Sequence, residues 1–243
     1  MKIRTWFTKY FPLLIFALGV LPGLMLGAYL VWADVEATLF DASMVTDAKL
    51  NTLRCPLLMT AADGETAVSA SFTNPSLENP SRVVVRARIS AGFVTLISQN
   101  EAIEQLQPLE SRTFSWPLTA ADVVYGRFIL VRVSNVRNAQ IPGQTASCGV
   151  VFLDIPIIKG WHVVVLSLVS SLLLMGSGAY LWIRRRPPAD PATKHALRGM
   201  GITASLVVSA WVTGILGWWI LGILVFAATL LWAIALMDPI SRG

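Results

Sequence analysis

The two histidines are the side chains best suited to proton transfer or metal binding near neutral pH, so their neighbours decide what chemistry the sequence offers. His162 opens an apolar segment, and His195 lies in a basic linker. Neither has a second His, Cys or carboxylate three or four positions away, the spacing that puts two ligands on one helix face. The sequence therefore predicts no catalytic residue, no cofactor site and no metal site, and we expect a protein that is not an enzyme.

Two glutamates, Glu101 and Glu104, lie three positions apart, a spacing that could place paired carboxylates side by side for acid–base catalysis. We expect them to lie in a solvated loop or a helical turn instead. The sequence also lacks a glycine-rich phosphate loop and a GxSxG motif for a nucleophilic serine.

Cys55 and Cys148 are the only cysteines of the chain. Two cysteines are too few for a disulfide-rich scaffold, and they lack the close spacing of a zinc or redox pair. They stand near the first and last strands of a β region described below, so a disulfide between them is expected in an oxidising compartment. Two inert thiols are the alternative.

The composition is typical of a membrane protein. Hydrophobic residues make up 55% of the 243 residues, and the mean hydropathy is +0.64, against the roughly 45 to 50% apolar share of an ordinary soluble domain. Charged residues make up only 14%, and the net charge is +5. Because basic residues gather beside the apolar segments, this charge indicates contact with a lipid bilayer, and no nucleic-acid partner is expected.

Three uncharged segments are long enough to cross a bilayer, which takes about 20 helical residues. They are Phe11–Trp32, Trp161–Ile183 and Gly199–Met237. The third segment is too long for one helix, so it predicts two helices joined by a turn near Gly214–Gly217. The pattern thus predicts four transmembrane helices, with a re-entrant hairpin as the alternative for helices 3 and 4.

The first segment has a second interpretation. Its basic start and the small-residue pattern Val31-Trp32-Ala33 also suit a cleavable signal peptide. The apolar region of a signal peptide has only about 7 to 15 residues, so the length of this segment favours a retained membrane anchor.

The distribution of Lys and Arg predicts the orientation, because basic residues collect on the cytoplasmic side of a membrane. Nine of the 19 lie outside residues 34–160, including the run Arg184, Arg185 and Arg186 before Pro187-Pro188. We expect both termini in the cytoplasm and residues 34–160 outside the plasma (inner) membrane. The three arginines then stop membrane passage, with binding of anionic lipid head groups as their alternative role.

Between the first two apolar segments the hydrophobic residues alternate, which is typical of half-buried strands. The strongest runs are Arg82–Ser90, Arg127–Asn135 and Gly149–Ile155, separated by turn signals such as Asn79-Pro80. Six or seven such strands predict an antiparallel sandwich. The pattern resembles an immunoglobulin-like (Ig-like) or fibronectin-like module, and this resemblance rests on strand spacing and implies a fold without an activity.

The expected fold class is therefore α plus β, with four transmembrane helices and an extracytoplasmic antiparallel Ig-like β-sandwich between helices 1 and 2. The predicted parts are the N-terminus and helix 1 (1–33), the sandwich (34–160), helix 2 (161–183), a basic cytoplasmic loop (184–198), and the helical hairpin with the C-terminus (199–243).

Small residues recur at every fourth position in two predicted helices. The rows are Gly19, Gly23 and Gly27, a double GxxxG, and Gly201, Ser205, Ser209 and Thr213. Each row lines one helix face and permits close approach of another helix. That helix could belong to the same bundle or to another subunit, or the rows could reflect the general frequency of small residues in membrane helices.

These observations predict a non-catalytic accessory or scaffold subunit of a membrane protein complex, in which the sandwich docks to a protein partner and the helices contact other membrane subunits. The alternative is a ligand-sensing or solute-binding membrane protein with a site in the sandwich loops. A small transporter component is disfavoured, because ion transport normally needs charged residues within the spans and these spans have none.

Overall fold

The computed structural model describes residues 2–40, 48–92, 96–186 and 191–241. The chain forms two compact units, of which one comprises Met1–Val31 with Val163–Gly243 and the other comprises Trp32–His162. The first unit is helical. The second, called the β domain here, contains two β-sheets and the end of the first helix. The fold class is accordingly helices plus sheet.

Four long helices run through the chain: α1 Lys2–Leu39, α2 Gly160–Arg185, α3 Pro191–Ile215 and α4 Trp219–Ser241. Within the described residues, three helical segments are long and apolar enough to cross a membrane, namely Tyr10–Leu39, Gly160–Arg185 and Thr193–Ile215. A shorter apolar segment, Trp219–Trp232, begins α4. Gly217 has a φ of +66° in the turn between α3 and α4, a backbone conformation that glycine adopts without strain.

The β domain contains eight strands: β1 Ala48–Lys49, β2 Leu58–Thr60, β3 Thr66–Thr73, β4 Ser81–Ala91, β5 Leu96–Leu106, β6 Ser111–Leu118, β7 Phe128–Asn135 and β8 Gln144–Leu153. The larger sheet has the order β1-β8-β7-β4-β5, with β2 also paired to β8. The smaller sheet is the antiparallel pair β3-β6.

One hydrophobic core takes side chains from both sheets. Alternate residues point into it, among them Val68 and Phe72 of β3, Trp116 of β6, Val85 of β4 and Val131 of β7. All five are buried. The period of two in the sequence therefore corresponds to one inward-facing side of each strand.

The pairing is only in part antiparallel. β4 pairs antiparallel with β5 and β7, and β7 with β8. The predicted antiparallel arrangement is wrong at one edge, where β1 and β2 both run parallel to β8. Alternation of apolar residues is the same for both directions of pairing, so it carries no information on this edge.

The first helix ends seven residues later than the predicted segment Phe11–Trp32, because its last two turns pack on the β domain. Ala33 and Ala37 are fully buried there. The Asp34 carboxylate accepts a hydrogen bond from the Gly149 backbone N–H of β8 at 3.3 Å, and Arg132 of β7 donates to the Phe40 carbonyl at 3.1 Å. The helix end thus covers the part of the β8 edge that lies between the segments paired to β1 and β2.

Two features of the sequence fall outside the described residues. They are the middle of the segment that follows α1, residues 41–47, and the Pro187-Pro188 pair.

Candidate docking surface

The two histidines lie in different units. His162 stands beside the ring of Trp161 at the start of α2, with 3.8 Å between ring centroids, and His195 is exposed on α3. Within the described part of the chain, no group of three or more His, Cys, Asp or Glu side chains could hold a metal ion.

The two glutamates lie on a strand, and the expected loop or helical turn is wrong. Both belong to β5, where Glu101 pairs with Arg86 at 3.1 Å and Glu104 pairs with Arg112 at 2.8 Å. Arg86 is the residue opposite Glu101 in the β4–β5 register. Such exposed ion pairs are worth about 0 to 1 kcal/mol, so they favour the strand register more than the overall stability.

A disulfide joins Cys55 and Cys148, which confirms the predicted pairing of the two cysteines. Cys148 lies in β8, and Cys55 lies in the segment between β1 and β2. The two Cα atoms are 6.5 Å apart, and 93 positions separate the residues in sequence. Both side chains pack against the core of the β domain, so the bond fixes the edge segment to the sheet.

The glycine row of α1 faces α2 and α3. A Cβ atom on Gly19 would come within 2.6 Å of the Met175 backbone nitrogen, and one on Gly27 would contact Ala210 at 3.2 Å. Side chains of the neighbouring helices also donate hydrogen bonds to this row: Ser171 to the Gly19 carbonyl, and the Trp211 indole to the Gly23 carbonyl at 2.9 Å. Small residues are therefore needed here for packing within the chain itself.

Replacing Gly23 with leucine is expected to disrupt this helix packing. A Cβ atom alone would come within 2.7 Å of Ser171 Oγ and of Val207 Cγ1, and overpacking of this kind costs about 1 to 3 kcal/mol or more. We expect a lower melting temperature and faster hydrogen exchange in α1 and α3 of the full chain in detergent. The control is Gly176→Leu, since no atom from elsewhere in the described residues lies within 4 Å of a Cβ there. Equal melting temperatures for the two variants would contradict the packing.

The small-residue row of α3 behaves differently. Gly201, Ser205 and Ser209 are exposed, and a Cβ on Gly201 would meet nothing within 4 Å among the described residues. The fourth residue, Thr213, is buried and donates to the Ser209 carbonyl at 3.0 Å. The first three residues are therefore not used for packing against the described part of this chain.

The arginine run lies at the end of α2, with Arg184 and Arg185 in its last turn, and contacts aromatic rings. The Arg186 guanidinium lies 3.7 Å from the centroid of the Trp182 ring, and that of Arg185 lies 5.8 Å from the centroid of Phe11. Arg184 is exposed. Cation–π contacts of this kind stabilise the end of the helix while the charges stay accessible.

A tight turn fixes the start of α2. The sequence Thr60-Ala61-Ala62-Asp63 forms a 3₁₀ turn in which the Asp63 carboxylate accepts hydrogen bonds from the Thr60 N–H at 2.7 Å and the Gly160 N–H at 2.8 Å. Burial alone would raise the pKa of Asp63, but these hydrogen bonds, the Thr60 hydroxyl and the charge of Lys159 together hold the pKa below its ordinary value of 3.8. Asp63 thus acts as a charged cap on the first N–H of the helix.

The cap predicts a pH dependence. Because folding lowers the pKa of Asp63, its stabilisation is fully present above about pH 4 and is lost as the pH falls through the native pKa. Asp63→Asn should therefore speed hydrogen exchange in the first turn of α2 at neutral pH, and the difference from the native chain should shrink in acid. Asp122→Asn is a matched control, since Thr119-Ala120-Ala121-Asp122 forms the same turn elsewhere. A difference that persists unchanged in acid would contradict the charged cap.

Three loops lie together at the end of the β domain opposite to Leu153, where β8 ends. The β3–β4, β5–β6 and β7–β8 loops meet there because Thr73 pairs with Ser111, Ser81 with Leu106, and Val85 with Asn135. We call residues 74–80 and 107–110 the distal tip.

A buried asparagine holds the distal tip together. The Asn74 side chain is fully buried, and its amide nitrogen lies 2.9 Å from the Asn79 carbonyl and 3.2 Å from the carbonyls of Leu106 and Gln107. Its backbone N–H donates to the Glu110 carbonyl at 2.9 Å. A fully hydrogen-bonded buried amide is costly to displace, so the two loops form one fixed surface.

This surface presents two leucines to solvent. The exposed fractions are 76% for Leu77 and 61% for Leu109. Leu109 follows Pro108 in a four-residue turn and has a φ of +58°. The Leu109 N–H donates to the Ser76 carbonyl at 3.2 Å. That position of a turn favours Gly or Asn, so a leucine there costs stability without gaining burial. The distal tip therefore exposes two leucines on a pair of loops that hydrogen bonds hold together.

The pair Asn79-Pro80 predicts one turn of the tip from the sequence, but nothing there predicts its leucines. Proline and asparagine mark both loops, whereas nothing in the residue types indicates that Leu109 adopts a left-handed backbone. A large apolar residue directly after a turn-forming residue, as in Ser76-Leu77 and Pro108-Leu109, was the available signal.

No protein-family model matches the chain, and no curated protein matches it. Among solved structures, part of the chain is similar to a β-glucuronidase of Bacteroides uniformis, with a TM-score of 0.30 and 11% identity over 42% of this chain and 13% of that one. A β-glucosidase of Listeria innocua in complex with isofagomine gives a TM-score of 0.29 and 16% identity over 43% of this chain and 16% of that one. At these TM-scores the likeness carries no argument about fold or activity.

Proposed function

We propose that the chain is a non-catalytic accessory or scaffold subunit of a plasma-membrane protein complex, and that it docks an extracytoplasmic protein partner through the distal tip. The observation that carries this proposal is the exposure of Leu77 and Leu109 on a surface fixed by the buried Asn74. Burying a leucine side chain is worth about 1.5 to 3 kcal/mol. A rigid loop loses little conformational entropy when it binds, so more of that gain remains as affinity.

The β domain in this proposal is an Ig-like sandwich. Two observations support it: β3 and β6 form one sheet while β5, β4, β7 and β8 form the other, and both sheets contribute to one core. In such a sandwich the loops gather at the two ends, where they are free to contact a partner.

The proposed topology has four membrane spans with both termini in the cytoplasm and the β domain outside. It is supported by the three candidate spans, by the apolar start of α4, and by the Arg184–Arg186 run at the end of α2. We expect a membrane-impermeant thiol reagent to label Gln140→Cys but not Lys194→Cys in intact cells, since both positions are exposed and the proposed topology puts them on opposite sides of the membrane. The reverse labelling would contradict the orientation.

Native mass spectrometry of the full chain after mild detergent extraction tests the function. We expect a heteromeric complex that Leu77→Ser and Leu109→Asn weaken, because asparagine keeps the left-handed backbone while removing the apolar group. Ile103→Ser is the matched control, since Ile103 is an exposed apolar residue on β5, outside the tip. A lone chain that binds a small molecule would contradict the proposal and support a ligand-sensing protein.

A further inference from the structure

A second exposed apolar surface lies at the opposite end of the β domain, beside the start of α2. β8 ends at Leu153, seven residues before Gly160. The β6–β7 connection lies at the same end, because Phe128 pairs with Val151 and the Phe152 N–H donates to the Arg127 carbonyl at 2.6 Å. The turn Tyr125-Gly126-Arg127 is therefore a neighbour of the segment that leads into α2.

The turn projects a tyrosine. Val124 and Phe128 exchange backbone hydrogen bonds of 2.7 and 3.1 Å, which close the turn. Tyr125 has a φ of +54° and is 54% exposed. A left-handed backbone is uncommon for tyrosine and costs stability, so this exposed ring is held in place at some expense to the fold.

The segment before α2 projects an isoleucine from an equally fixed backbone. Ile157 is 86% exposed. The next residue is held by the turn described above, since the Thr60 hydroxyl lies 2.7 Å from the Ile158 carbonyl and Asp63 accepts from Gly160. Trp161, in the first turn of α2, is also exposed. Ile157 thus has a fixed position within one helical turn of a candidate membrane span.

We propose that this end of the β domain, formed by Tyr125, Ile157 and Trp161, is seated in the lipid head-group layer of the bilayer that α2 crosses. The inference rests on the proposed topology and is independent of the protein partner. Lipid is the expected contact of this surface, because Ile157 lies three positions before the candidate span Gly160–Arg185 and the chain enters the membrane there. Tyrosine and tryptophan favour the interface, where the ring is apolar and its polar atom stays hydrated.

The charged residues at this end also suit a lipid head-group layer. Arg127 and Lys159 are exposed beside the turn and the linker, where they can meet lipid phosphates. Asp154 of the linker and Glu65, which precedes β3, are exposed carboxylates at this end, and Asp63 is turned toward the Gly160 N–H. The apolar residues therefore lie among side chains that suit a head-group layer.

Fluorescence quenching by lipid tests the seating on the full chain in nanodiscs of phosphatidylcholine and phosphatidylglycerol. Ile157→Cys, Tyr125→Cys, Leu77→Cys and Val169→Cys are each labelled with a polarity-sensitive dye. Labelling is specific because both native cysteines are in the disulfide. We expect blue-shifted emission at positions 157 and 125, quenched by lipids that carry a nitroxide near the head group, and unquenched emission at the distal position 77.

The label at position 169 distinguishes a failure of the seating from a failure of the membrane span, because Val169 is exposed in the middle of α2. Quenching at 169 by a deeper nitroxide without quenching at 157 and 125 would overturn the seating while leaving the membrane span intact. No quenching at any position would overturn the topology and the seating with it. Neither result would affect docking at the distal tip, which native mass spectrometry measures separately.

Discussion

Gly149→Val is expected to detach the end of α1 from the β domain. A Cβ atom at position 149 would overlap the carbonyl oxygen and carbon of Ala33. These are backbone atoms of a helix, so the contact cannot be relieved by a side-chain rotation. We expect a loss of about 3 kcal/mol or more, since overpacking forces the backbone to move and exposes the buried Ala33 and Ala37.

Hydrogen exchange measured by mass spectrometry on the full chain in detergent would detect this change. Peptides covering residues 32–40 and β8 should lose protection, because the hydrogen bond from Gly149 to Asp34 cannot form once the helix end is displaced. Gly176→Val is the control, with nothing within 4 Å of its Cβ. Unchanged protection of residues 32–40 in Gly149→Val would show that the helix end is not packed on β8.

Removal of the disulfide is the second large effect we expect. The bond closes a loop across 93 positions, and cross-links of this kind stabilise small domains by about 2 to 5 kcal/mol. Cys55→Ser, Cys148→Ser and the double variant should lose the same free energy of unfolding, since each removes the same single bond. The loss should appear as faster exchange throughout the β-strands, with α3 and α4 unchanged.

Thiol alkylation provides the check on this expectation. The native chain should resist alkylation until it is reduced, and either single variant should expose one reactive thiol. Two alkylatable thiols in the untreated native chain, or equal strand protection in all four proteins, would contradict a stabilising disulfide.

The strands with a regular apolar pattern could be predicted from the sequence, and the others could not. Arg82–Ser90 predicts β4 to within one residue at each end, because its alternate valines fill the core. β5 escaped prediction because Gln99, Asn100 and Glu101 follow one another without an apolar alternation. It is held by backbone pairing with β4 as an edge strand, so its side chains face little of the core.

Helix contacts were equally hard to predict, because two similar patterns have different surroundings. The row that starts at Gly19 packs closely on α2 and α3, whereas the row that starts at Gly201 is exposed. Both rows have the same spacing of four, and only the tertiary structure distinguishes them. The extension of α1 onto β8 likewise depends on Gly149, which lies more than 100 positions away in sequence.

The disulfide could be predicted from the sequence, whereas the distal tip could not. Two isolated cysteines near the ends of a β region indicate a disulfide from residue type and compartment. The distal tip instead depends on the buried Asn74 and on the backbone of Leu109, which are consequences of how two distant loops meet.

Site-specific photo-crosslinking tests the docking proposal most directly. A photoreactive benzoylphenylalanine would be introduced in turn at Leu77, Leu109 and Ile103 of the full chain, and membranes would be irradiated before extraction. We expect positions 77 and 109 to give one heteromeric product of the same mass and position 103 to give none. Products of equal yield from all three positions, or no product from the distal tip, would contradict docking through these leucines.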